Sequence, residues 1–238
     1  MTKQSARIIC FDLDDTLVAT SHLYHRALWD CGRIIHSALG VRSPYPSDVI
    51  ALHGKIDAVL WERHGFAKNR FPQSLVSTYV ELAQSRGLKP SNEVKQKVKQ
   101  AAMVHRRGPF VPLPGAQKTL QALHKDGHQL HLVTMGEPAL QRRKVRDSGL
   151  AHFFDSVHVT GKDKRASMSR CVGRRDPAEC VMVGDSKRSD VAAAVSLGMI
   201  SVWIPGDPWP FAKADVPEDS YHQLASISEV PNFIRSLG

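Results

Sequence analysis

Short apolar runs alternate with helical segments along most of this chain, and several of the runs end on an acid or a hydroxyl. Residues 7–11, 129–134, 156–160, 179–185 and 199–204 read as strands, and from residue 116 onward helical patterns lie between them. The run Ile8-Ile9-Cys10-Phe11 shows no polar alternation, as expected of a strand buried on both faces. Strands that alternate with helices build an α/β fold with a parallel sheet covered on both faces. Such sheets bind ligands outside the carboxyl ends of their strands, near the switch in strand order. Asp12 and Asp14 follow the first run, Thr134 ends the second and Asp185 ends the fourth, so one site at one edge of the sheet is expected to gather all four.

The stretch 18–112 interrupts this rhythm. Helices are expected from Thr20 or Ser21 to Leu39, from Asp48 to about Gly65, around Leu75–Ala83 up to Gly87, and from Asn92 through Ala102. Pro109, Pro112 and Pro114 read as a linker back to the alternating part, and no convincing strand occurs in between. The predicted organisation is a catalytic core of residues 1–17 and 113–238 with a helical cap of residues 18–112. Because the insertion leaves from the carboxyl end of the first strand, it is expected to sit over the site. It holds 14 Lys and Arg against 6 Asp and Glu, a net +8 of the whole chain's +9, which suits an anionic partner.

Three carboxylates, Asp12, Asp14 and Asp15, directly after a core strand cannot be core filling, since burying unpaired charge is costly. Asp12 and Asp14 approaching one centre need a shared proton or a cation. Asp185 adds a third oxygen from another strand end, and an all-oxygen set with few protein ligands suits Mg²⁺ binding together with a substrate phosphate. No histidine lies near these acids in sequence, which disfavours zinc. The widely spaced Cys10, Cys31, Cys171 and Cys180 form no CxxC pair, and the polar start up to Arg7 lacks the layout of a secretion signal. A reducing, cytoplasmic location is expected. No run of 18 apolar residues is present to span a membrane.

Four motifs together resemble the haloacid dehalogenase-like hydrolase superfamily, in its phosphatase branch with a helical cap between the first and second motifs. They are Phe11-Asp12-Leu13-Asp14-Asp15-Thr16-Leu17, Leu132-Val133-Thr134, a lysine of Gly161-Lys162-Asp163-Lys164, and Val183-Gly184-Asp185 continuing to Asp190. The resemblance implies a Rossmann-like three-layer α/β/α core and a Mg²⁺-dependent phosphatase acting through an aspartyl phosphate. Within it, Asp12 would be the nucleophile and Asp14 the acid/base. Asp12, Asp185 and the Asp14 carbonyl would hold the metal, and Asp190 would support it. Thr134 and a lysine would bind the phosphoryl oxygens. Lys162 lies 23 residues before Asp185 and Lys164 lies 21 before it; Lys162 is taken as that lysine. The resemblance also disfavours a dehalogenase, because a departing halide needs no proton from an acid at position 14.

His53 and Lys55, read as a loop near the start of a cap helix, are candidates for substrate specificity. Arg142-Arg143-Lys144, Arg174-Arg175 and Lys187-Arg188 read as solvated faces, and Arg106 and Arg107 as hinge arginines. Trp29, Trp61, Trp203 and Trp209 read as core or core-edge residues. The expected substrate is a phosphomonoester of a small soluble metabolite. Three alternatives stay open: a basic nucleic-acid-binding protein, an inert interaction protein on the same scaffold, and a phosphonate hydrolase using Lys55. The first is disfavoured by the absence of a nucleic-acid-binding signature and by only 7% aromatic residues.

Overall fold

The computed structural model describes residues 5–206 and 213–238. The chain divides into two compact units, one of residues up to Ala19 together with Pro109–Gly238, the other Thr20–Gly108.

The first unit is built on a six-stranded sheet. Its strands are β1 (Ile8–Phe11), β4 (Gln129–Met135), β5 (Ser156–Thr160), β6 (Cys180–Gly184), β7 (Ile200–Trp203) and β8 (His222–Gln223), in the order β5-β4-β1-β6-β7-β8. All neighbours pair in parallel. β1 and β6 are central and every residue in them is buried, which explains why the sequence there is apolar without alternation. Ile8, Cys10, Val133, Cys180 and Met182 form one core cluster with Met168, Cys171 and Val172 of α7 (Arg165–Val172) and Ala193 and Ala194 of α8 (Ala192–Ser196). α5 (Ala116–Lys125) packs against β4 and α9 (Val230–Ser236), while α6 (Pro138–Asp147) packs against β5. The α/β core with a parallel sheet is as expected.

Register positions the site. Phe11 lies opposite Leu132 of β4 and Val183 of β6. The residue after Phe11 therefore emerges level with Val133 and Gly184, one position before Thr134 and Asp185. The switch in strand order falls at β1, where chain order runs outward to β4 on one side and to β6 on the other.

Three local features differ from the sequence-based expectation. Val18–Ala19 (β2) and Val111–Pro112 (β3) form a two-residue antiparallel ribbon where only linker was expected. Pro112 is tolerated because so short a ribbon demands little of its missing N–H, and the following Leu113 N–H donates to the Leu17 carbonyl at 2.8 Å. β8 is added at the sheet edge, and α8 begins at Ala192 only after a wider helical turn over Lys187–Val191.

The second unit contains four α-helices among the described residues: α1 (Ser21–Leu39), α2 (Pro46–His64), α3 (Arg70–Gln84) and α4 (Asn92–Ala102). Ala27, Cys31, Ile35 and Leu39 make a stripe at four-residue spacing on α1. It packs with Leu75, Tyr79, Leu82 and Ala83 of α3 and with Val98 and Ala102 of α4. Trp29 falls off that stripe and is 70% exposed, so it is not a core residue as expected, whereas Trp61 is buried. Trp209 lies outside the described residues. Among the described residues no helix is long and apolar enough to cross a membrane.

Candidate active site

Asp12 follows β1 directly, and its N–H still donates to the Val183 carbonyl of β6 at 2.9 Å. The chain then turns tightly: the Leu17 and Val18 N–H groups both donate to the Leu13 carbonyl, and Asp15 N–H donates to the Val18 carbonyl. Asp15 takes the left-handed conformation, φ 57°, that this turn requires. Asp12 is thereby held at the carboxyl end of β1, and the residue is 6% exposed.

Asp12, Asp185 and Asp190 offer carboxylate oxygens that all lie within 4.8 Å of one another. Lys164 Nζ donates to Asp12 Oδ1 at 2.5 Å and to Asp190 Oδ1 at 2.6 Å. Asp190 Oδ2 accepts from the Ser186 N–H at 3.0 Å. Both oxygens of Asp190 are thus engaged, which casts it as a support for Lys164 and for the turn after β6. Asp185 is only partly buried, accepts a long 3.4 Å bond from the Thr16 hydroxyl, and has its backbone carbonyl fixed by the Trp203 indole N–H at 2.7 Å.

The lysine expectation is corrected here. Lys162 is exposed on the loop, whereas Lys164 is buried against Asp12 and Asp190. Lys164 is the residue immediately before α7, and the carboxylates of Asp12 and Asp190 satisfy its buried ammonium there.

Burial is the largest influence on the Asp12 carboxyl and pushes it up to about 7; Lys164 pulls it down, while Asp190 and Asp14 push it further up. Asp185 is raised well above the usual carboxylate range by burial and then by Asp12 and Asp190. Burial alone would depress the Lys164 ammonium, but Asp12 and Asp190 outweigh it and raise it. Three carboxylates therefore cluster around one ammonium that is paired with only two of them, Asp12 and Asp190. A hard divalent cation fits this donor set: the ligands are all oxygen, their charge is uncompensated, and Asp12 and Asp185 keep lone pairs for it.

Gly184 is required by this packing. A Cβ there would stand 2.3 Å from Asp190 Cγ and Oδ2, in a place where Asp190 is fully buried. Gly184→Ala is expected to destabilise the protein by about 1–3 kcal/mol and to lower turnover by displacing Asp190. Chemical denaturation and initial rates check this, and wild-type values for both would mean that Asp190 has room to move.

A second group of contacts adjoins the first. Lys144 of α6 is buried, and its Nζ donates to Asp14 Oδ1 at 2.7 Å and Oδ2 at 2.9 Å. Gln141, also buried, donates from Nε2 to Asp14 Oδ2 at 2.8 Å, to Thr134 Oγ1 at 2.7 Å and to the Met135 carbonyl at 3.1 Å. Lys144 is therefore not part of a solvated face, although Arg142 and Arg143 are exposed. The signal was present in the helix period: Leu140 and Lys144, like Gln141 and Val145, are spaced four apart and form the buried side of α6. Lys187 also leaves the solvated class. It is partly buried, with Nζ 4.3 Å from the Trp203 ring centre and donating to the Tyr221 hydroxyl at 2.8 Å.

The helical-unit candidates do not lie in a loop. His53 and Lys55 are in the middle of α2. His53 is buried, with Nε2 3.0 Å from the Ser74 hydroxyl oxygen, and burial is the main cause of its lowered pKa. Nearby, Arg70 donates to Asp57 in a buried ion pair. His53 is thus committed to the interior of its own unit, while Lys55 is exposed.

Residues 6–198 match the profile of the haloacid dehalogenase-like hydrolases. The chain is 28% identical to a phosphoserine phosphatase of Thermus thermophilus, over 85% of this chain and 92% of that one. It is 27% identical to a glyceraldehyde 3-phosphate phosphatase of Pyrococcus furiosus, over 97% and 92%. A haloacid dehalogenase-like family hydrolase from Xanthomonas campestris shares the fold, with a TM-score of 0.79 at 22% identity, covering 100% of this chain and 94% of that one.

Proposed function

The chain belongs to the haloacid dehalogenase-like hydrolases and is a phosphoric monoester hydrolase; we propose that it is Mg²⁺-dependent, acts through an aspartyl phosphate on Asp12, and takes a small phosphorylated metabolite as substrate. The observation that carries this reading is the clustering of carboxylate oxygens of Asp12, Asp185 and Asp190 within 4.8 Å of one another, with the Lys164 ammonium paired to Asp12 and Asp190.

In the first step an Asp12 carboxylate oxygen attacks phosphorus, the bond to the leaving oxygen breaks, and Asp14 gives that oxygen a proton. In the second, water attacks the acyl phosphate, Asp14 takes its proton, and phosphate leaves as Asp12 is restored. Thr134 and Lys164 face the transferring group and stabilise its oxygens. Asp190 keeps Lys164 extended toward Asp12. Asp12, Asp185 and the Asp14 backbone carbonyl would hold the cation, which supplies charge neutralisation that lets an anionic nucleophile meet an anionic phosphate. Asp14 also argues against halide release as the reaction, since that leaving group needs no proton.

The helical unit, rich in Lys and Arg, would serve as the cap that selects an anionic substrate. A cytoplasmic location belongs to the same reading: Cys10, Cys31, Cys171 and Cys180 lie free and buried, as thiols that a reducing compartment preserves.

A screen of phosphorylated metabolites with Mg²⁺ present tests the substrate class. Chelation is expected to remove at least about 99% of turnover, with Mg²⁺ restoring it. Mg²⁺ should also raise the Tm of the wild-type protein and not that of Asp185→Asn. Full activity after exhaustive chelation, or an equal Tm rise in both proteins, contradicts metal dependence at this site.

A further inference from the structure

We infer that Gln141 and Lys144 are positioning residues that lock the acid/base Asp14 in register with the phosphate-binding Thr134; this rests on the roles proposed above for those two residues. The two side chains sit three apart on α6 and project from the same face. Each is only 1% exposed, an unusual place for a lysine, whose flexible stem normally carries its ammonium to water. Lys144 instead spends two of its three donors on the two oxygens of Asp14, at 2.7 and 2.9 Å. The Asp14 side chain itself is 28% exposed, so it keeps an open side toward solvent while its position is held from behind.

Gln141 completes the lock. Its amide nitrogen stands 2.8 Å from Asp14 Oδ2 and 2.7 Å from Thr134 Oγ1, tying the group that meets the leaving oxygen to the group that meets the phosphoryl oxygens. The approach of Gln141 depends on Gly136, where a Cβ would lie 2.7 Å from Gln141 Cγ. Two side chains and a glycine, on a loop and helix that supply no metal ligand, thus serve one geometric end: fixing the separation between proton transfer and phosphoryl binding. Small misplacements of this kind are costly in rate.

The test is a double-mutant cycle with two substrates, an alkyl phosphate whose leaving oxygen needs a proton and an aryl phosphate whose leaving group needs it less. Lys144→Met is expected to lower kcat for the alkyl phosphate by about 10²-fold, to leave KM within about twofold, and to cost less than about tenfold with the aryl phosphate. In an Asp14→Asn background the same change should cost less than about twofold, because its route of action is already gone. Gln141→Met, which leaves no charge unpaired in the interior, should give the same pattern with about a tenfold loss, and it decides the matter if Lys144→Met does not fold. Equal losses with both substrates, or full losses repeated in the Asp14→Asn background, would overturn the positioning role. A large rise in KM would overturn it too, by making Lys144 a direct substrate contact. If Asp14→Asn itself hydrolyses the alkyl phosphate normally, the acid/base reading fails, and the proposal with it. Loss in Asp14→Asn alongside a silent Lys144→Met and Gln141→Met overturns the proposal alone.

Discussion

Replacing Asp12 by asparagine is expected to lower kcat by more than about 10⁴-fold while the protein still folds. The change replaces the anionic carboxylate by a neutral, weakly nucleophilic amide but preserves shape in a site where Asp12 is 6% exposed. It also leaves Lys164 with Asp190 as a partner at 2.6 Å, so no buried ammonium is stranded. Stability should therefore fall little, by about 1 kcal/mol or less, in line with the loss of one hydrogen-bonded charge whose partner is still satisfied. The pairing of a large kinetic loss with a small stability loss separates a nucleophile from a structural acid. Steady-state rates and a denaturation curve on the same preparation check it, and near-normal turnover would remove Asp12 from the attacking role.

Lys164→Ala should behave differently, failing in both measurements. Lys164 lies between Asp12 and Asp190 and is almost wholly buried, so its removal leaves two carboxylates without their shared cation. Breaking a buried pair in this way costs about 3–5 kcal/mol, and losing an electrostatic stabiliser of the transferring group costs about 10²–10³ in kcat. Added Mg²⁺ should recover part of the stability, since it supplies charge to the same carboxylates. Lys162→Ala, an exposed change, should stay within about 0.5 kcal/mol and within about twofold of wild-type activity. Comparable defects in the two variants, or a greater one in Lys162→Ala, would mean that the loop before α7 presents the other lysine during turnover.

The contrast between these lysines shows where the sequence was informative and where it was not. The strands around Asp12 and Asp185 were legible because burial on both faces leaves runs such as Ile8–Phe11 without polar alternation. The first acids were legible because three of them follow such a run. Lys162 and Lys164 differ by two positions, and both precede a helix. Spacing along the chain could not decide which one turned inward; that depended on where α7 begins. Lys144 was hidden in a basic triplet, and only the period of α6 separates it from Arg142 and Arg143. Trp29 shows the opposite failure, since a large aromatic read as core stands off the α1 stripe in solvent. β8 carries no pattern at all: two exposed polar residues, His222 and Gln223, pair with β7 at the sheet edge. The link from Asp14 to Thr134 runs through Gln141, and its Gln141–Asp14 half spans more than a hundred residues of sequence, so no local pattern announces it.

Trapping of the phosphorylated enzyme bears most directly on the role of Asp12. Asp14→Asn protein is mixed with an aryl phosphate in the presence of Mg²⁺, quenched in acid within the first turnover, digested and analysed by mass spectrometry. The variant slows the water step, so the acyl phosphate should accumulate, and the added phosphoryl mass should sit on the peptide carrying Asp12, labile to hydroxylamine. A burst of released phenol should match it in amount. Release of phenol at the same rate with no phosphoryl group on Asp12, or with the group on another residue, would contradict the assignment of Asp12 as the nucleophile.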